Sequence, residues 1–66
     1  MFTANGKATE LSGALSVADY LKQHEYQISR IVVELNGEIL PKDAYSDTFL
    51  KDNDCLEIVS FVGGGQ

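Results

Sequence analysis

A small α+β domain, with a mixed sheet of four to five strands wrapped over one main helix, is the fold class this sequence predicts. Three observations carry that reading. Two Asn-Gly pairs each sit between short extended runs, one stretch repeats its apolar residues at helical spacing, and the closing run alternates with a period of two. At 66 residues there is length for one domain only. Residues 1–62 are expected to fold, and residues 63–66, Gly63-Gly64-Gly65-Gln66, to form a flexible glycine tail.

Taken in order, Met1 to Ala4 and Lys7 to Leu11 flank Asn5-Gly6 and read as a hairpin. Asn-Gly suits a two-residue type I′ turn because both central positions need positive φ. The period then changes. Ser16 stands three residues before Asp19, an N-cap with an acidic partner, and Val17, Tyr20, Leu21 and His24 share one stripe at i, i+3, i+4 and i+7. A helix of two to three turns is therefore predicted, with Asp19, Lys22 and Gln23 toward water. Ile31 to Leu35 is rich in β-branched residues and reads as a strand, which Asn36-Gly37 turns back into Glu38-Ile39-Leu40. Pro41 cannot donate to a ladder, so the returning strand belongs at a sheet edge. Residues 42–54 form a polar loop anchored by Tyr45 and Leu50, ending in a turn over Lys51 to Asp54. The last strand, Cys55 to Val62, places Leu56 and Ile58 on one face and Cys55, Glu57, Val59 and Phe61 on the other. The natural link from hairpin through helix is a right-handed crossover to a parallel third strand.

Composition removes whole classes of function. Hydrophobic residues make up 44% and charged ones 23% of the chain, which suits a globular domain and excludes low-complexity disorder. A domain this small buries only about 60% of its unfolded surface and has no room for a substrate-enclosing cleft. One Cys cannot make an internal disulfide, and one His leaves no Cys/His zinc set, so the core alone must hold the fold, as in reducing cytosol. No run approaches the ~20 apolar residues of a membrane span, and the N-terminus lacks a signal-peptide layout. A net charge of -5 disfavours nucleic acid, whose phosphates require clustered Lys and Arg, and favours a basic protein partner.

The element order, with particular residues, resembles the ubiquitin-like β-grasp family of sulfur carriers, in its thiamin-biosynthesis branch. The matching stretches are Asn5-Gly6, Ser16-Val17-Ala18-Asp19-Tyr20-Leu21, Val33-Glu34-Leu35-Asn36-Gly37-Glu38-Ile39 with Pro41, then Leu50, Asp54, Leu56-Glu57-Ile58-Val59 and Phe61-Val62-Gly63-Gly64-Gly65. Each is common singly; the set, in this order and length, is specific. The resemblance implies a protein cosubstrate, not an enzyme, whose C-terminal glycine is the working group. A ThiF-like adenylating enzyme would activate that carboxylate with ATP and Mg²⁺, neither being held stably by the carrier. Sulfur drawn from a cysteine desulfurase would convert it to a thiocarboxylate, and a ThiG-like thiazole synthase would take the sulfur into the thiazole ring.

Family members of this kind act from a free terminal Gly, whereas Gln66 follows Gly65 here. Counting back from Gly65 as from the last Gly of ubiquitin puts Leu56 and Ile58 in the core and Glu57, Val59 and Phe61 outward. Counting from Gly64 would bury Glu57 without a partner, which is costly. Gly64 and Gly65 are therefore taken as the sulfur-carrying end, with Gln66 removed by proteolysis or foreign to the natural chain. Glu57, Val59, Phe61, Val62 and Gly63 are expected to dock the partner, since one helix can cover only one face of the sheet.

Other side chains have plainer readings. Cys55 has no basic neighbour to lower its pKa and reads as a half-buried apolar residue opening a strand. His24 reads as a polar residue in the helix's last turn, and Asp52, Asn53 and Asp54 as a turn, since the spaced ligands of a calcium loop are missing. Three rivals keep the same fold: a molybdopterin-synthase small subunit, a ubiquitin-like protein modifier, and a passive interaction module.

Overall fold

The computed structural model describes residues 1–61. Five strands form a single sheet: β1 (Phe2–Ala4), β2 (Lys7–Thr9), β3 (Ile31–Leu35), β4 (Glu38–Leu40) and β5 (Cys55–Ser60), in the order β2-β1-β5-β3-β4. One helix, α1 (Val17–Gln23), crosses one face, and two 3₁₀ turns, Ile28–Arg30 and Lys42–Ala44, lie in the connections. Both Asn-Gly turns have the expected geometry, with φ of 52° and 81° at Asn5 and Gly6 and of 54° and 86° at Asn36 and Gly37.

The last strand is the central one. β5 runs parallel to β1 and antiparallel to β3, while β2 and β4 are edges, β4 ending at Pro41 as its missing N–H requires. These pairings make β3 parallel to β2, so the chain does cross over to a parallel strand, but with β1 and β5 inserted between the two. The core is one cluster: Phe2 and Ala4 of β1, Ile31 and Val33 of β3, Leu56 and Ile58 of β5, Val17, Tyr20 and Leu21 of α1, and Tyr45 and Leu50 from the loop. Burial pushes the phenol pKa of Tyr20 and of Tyr45 above the ordinary value. No helix of the described residues is long and apolar enough to cross a membrane.

Helix α1 is short, and hydrogen bonds hold both ends, the loop supplying part of the N-terminal cap. The Ser16 hydroxyl accepts from the Asp19 N–H at 3.0 Å, as the cap pattern predicts. The Val17 and Ala18 N–H groups donate to the carbonyls of Thr48 and Tyr45 at 2.8 and 3.0 Å, so the long loop completes the N-terminal cap. At the other end Glu25 takes φ of 61°, and Tyr26 N–H reaches the Leu21 carbonyl at 3.0 Å while Glu25 N–H reaches Lys22 at 3.1 Å. That is a Schellman closure with Glu where Gly is usual.

Several expectations need correction. The arms of the first hairpin are shorter than Met1 to Ala4 and Lys7 to Leu11, and Leu11 leaves the sheet to pack at the core margin. His24 is the exposed C-cap of α1, its ring tilted 34° against the Tyr20 ring with centroids 4.2 Å apart, rather than part of the buried stripe. Cys55 is exposed, not half-buried, because its position in β5 points to the uncovered face. The final strand closes at Ser60 rather than Val62, although the Phe61 N–H still donates to the Arg30 carbonyl at 3.0 Å.

Candidate functional site

The uncovered face of the sheet follows from strand alternation and register. On β5 the burial pattern alternates strictly from exposed Cys55 to buried Ile58, with Leu56 wholly buried beside exposed Glu57. Across β3, Val32 stands opposite Val59 and Glu34 opposite Glu57; across β4, Ile39 stands opposite Glu34. Directly paired residues lie on the same face. The outer face thus carries Val59, Val32 and Ile39 around two carboxylates, with Phe61 following one position beyond β5. Ile39, Val59 and Phe61 are 69%, 55% and 48% exposed, so large apolar side chains meet solvent on this face.

The three described docking residues of the sequence reading, Glu57, Val59 and Phe61, therefore share one exposed surface. Val62, Gly63, Gly64 and Gly65 lie outside the described residues, as does Gln66. Val32, Glu34 and Ile39 were not foreseen. In the run Ile31-Val32-Val33 every position is apolar, so hydropathy does not say which points inward, and only the register of β3 against β5 places Val32 and Glu34 outward. A large aliphatic at the middle of a three-residue edge strand was the one available signal for Ile39.

β5 is clasped from both sides by the side chains of the two turn asparagines. Asn5 Oδ1 accepts from Ile58 N–H at 2.8 Å, and Asn36 Oδ1 accepts from Cys55 N–H at 2.8 Å. The Asn36 amide also donates to Asp54 Oδ1 at 3.0 Å, while Asp54 Oδ2 accepts from Lys51 N–H at 2.8 Å. Asp54 is buried, so these bonds are what make a carboxylate tolerable there. The expected turn at Asp52 to Asp54 is thus present, and its function is to seat the start of β5. Among the described residues no group of three or more His, Cys, Asp or Glu side chains is arranged to hold a metal.

A five-stranded mixed sheet in the order 2-1-5-3-4 over one helix, with its last strand central and displayed, defines a ubiquitin-like β-grasp domain. The comparisons with known proteins narrow this further. The family model described as "ThiS family" matches residues 2–65. The crystal structure of the thiamine biosynthesis protein ThiS from Geobacter metallireducens superposes with a TM-score of 0.80 at 39% identity, covering 97% of each chain. The sulfur carrier protein ThiS of Bacillus subtilis is 40% identical over 50 residues, 76% of each chain. A thiazole synthase of Paramagnetospirillum magneticum is 38% identical over 61 residues, which are 92% of this chain but only 19% of that longer protein. The chain belongs to the ThiS family.

Proposed function

We propose that this protein is the sulfur carrier of thiamin biosynthesis, a protein cosubstrate whose Gly65 carboxylate becomes a thiocarboxylate. One observation carries the reading furthest: the strand leading into the glycine tail is the central strand of the sheet and shows an apolar face to solvent immediately before it. A partner that grips this face receives the tail in a fixed direction. Glycines suit that delivery, because a chain without side chains can thread a narrow channel in another enzyme's active site. The family match closing at residue 65 supports Gly64 and Gly65 as the working pair, with Gln66 removed beforehand.

The chemistry begins with an anion that is a poor electrophile. A ThiF-like enzyme, using ATP and Mg²⁺, joins the Gly65 carboxylate to AMP and releases pyrophosphate. A persulfide sulfur originating from a cysteine desulfurase attacks the acyl carbon, AMP leaves, and a thiol cleaves the resulting acyl disulfide to free the thiocarboxylate. A ThiG-like thiazole synthase then consumes its sulfur. The relative in which a ThiS-like stretch forms part of a longer thiazole synthase supports that last partner. The carrier contributes no acid, base or metal ligand. Its work is docking and presentation, in the cytoplasm.

Mass spectrometry tests the proposal. A chain ending at Gly65, incubated with adenylating enzyme, ATP, Mg²⁺ and a sulfide source, should gain the mass difference of one oxygen exchanged for sulfur, and a chain retaining Gln66 should not. Sulfur loading of the chain that still carries Gln66 would overturn the assignment of Gly65. Isopeptide ladders on other proteins would favour the modifier reading instead.

A further inference from the structure

Two acidic residues occupy the middle of the outer face, and their placement is unfavourable for the free domain. Glu34 and Glu57 are direct register partners in the antiparallel β3–β5 pair. Side chains so placed have Cβ atoms about 4.5–5.5 Å apart, and like charges there destabilise the sheet. The single ion pair among the described residues joins the N-terminal amine to Asp52, so neither glutamate has a cationic partner among them. Arg30 ends the 3₁₀ turn before β3 and sits opposite Phe61, four residues before Glu34 and thus roughly 13 Å from it along the backbone. Val32, Val59 and Ile39 border the two carboxylates.

We propose that the partner's docking surface presents an arginine, whose guanidinium seats between Glu34 and Glu57 while Val32, Val59 and Ile39 pack around its aliphatic stem. This rests on the docking reading above and names what the face selects. When the apolar rim closes, the carboxylates lose water, and a partner offering only apolar surface would leave two charges buried and unpaired. Such a partner is rejected, so the pair supplies specificity as well as affinity. A guanidinium fits better than an ammonium: it is planar, weakly hydrated, always charged, and has five donors for two carboxylates. A second copy of this chain is a poor occupant, because a two-fold contact through this face would bring four carboxylates together.

The test uses the ThiF-like adenylating enzyme as probe and isothermal titration calorimetry as readout. Glu34→Gln and Glu57→Gln should each weaken binding roughly ten-fold, and the double variant far less than a hundred-fold, since the two serve one guanidinium. Asp43→Asn, on the Lys42–Ala44 turn outside the β3–β5 pair, should bind as the wild type does. In the free domain both glutamine variants should raise the thermal midpoint by roughly 1–4 °C as repulsion is relieved. Unchanged affinity in the glutamine variants, while Val59→Asp loses binding, would overturn the arginine inference and leave the docking face standing. Equal losses in Asp43→Asn and Glu57→Gln would overturn it too, reducing the effect to net charge. Normal binding by Val59→Asp would instead sink the docking reading itself. A wild-type dimer in sedimentation that Val59→Asp dissolves would make a second copy the occupant and refute the proposal.

Discussion

The two faces of β5 are unlike in burial and in composition. Leu56 and Ile58 are packed under α1 with Val17, Tyr20 and Leu21, whereas Glu57, Val59 and, just beyond the strand, Phe61 meet solvent. One strand therefore presents two unlike faces by alternation alone, since successive side chains point to opposite sides. The inner positions hold the domain together. The outer ones leave apolar side chains bare, and they form the face that the proposal above assigns to docking.

Substitutions can break or sharpen this contrast. The largest effect is expected inside: Leu56→Ala should cost about 2–5 kcal/mol, a large share of a small domain's stability, with urea denaturation followed by circular dichroism as the measurement. Where the two faces meet at the start of the strand, Asp54→Ala should cost about 1–3 kcal/mol, because the Lys51 N–H and the Asn36 amide lose their acceptor. Amide exchange should rise at Lys51 and Cys55 in that variant; protection as in the wild type would show that the clasp does not seat β5. Away from the sheet, Glu25→Gly should stabilise by up to about 1 kcal/mol, since Glu25 holds a left-handed φ of 61° that Gly adopts freely. Smallest of all, Val59→Ser should shift stability by no more than about 0.5 kcal/mol. A loss comparable to that of Leu56→Ala would erase the contrast between the faces.

Much of this was legible beforehand, for reasons of short range. Two Asn-Gly pairs, the Ser16 cap, the Val17–Tyr20–Leu21 stripe and the alternation of β5 each depend on residues within a few positions of one another. Other features were hidden because they depend on distant partners. Tyr45 and Thr48 complete the helix cap through their carbonyls, which any residue type would supply. Glu25 closes the helix without the glycine that usually announces such an end. Cys55 looks apolar in sequence yet is exposed, since the face it occupies has no second layer.

By itself, the sequence determined the order of the strands and the helix though not their ends, the two Asn-Gly turns, the core face of β5 and the exposure of Glu57, Val59 and Phe61. Local φ preferences and side-chain periodicity are properties of neighbouring residues, so no fold is needed to read them. Only the tertiary structure decided that β5 is central, that Asn5 and Asn36 clasp it, and that Val32, Glu34 and Ile39 join its outer face. Register is a relation between strands far apart in the chain. The apposition of Glu34 with Glu57 exists only once β3 and β5 have paired.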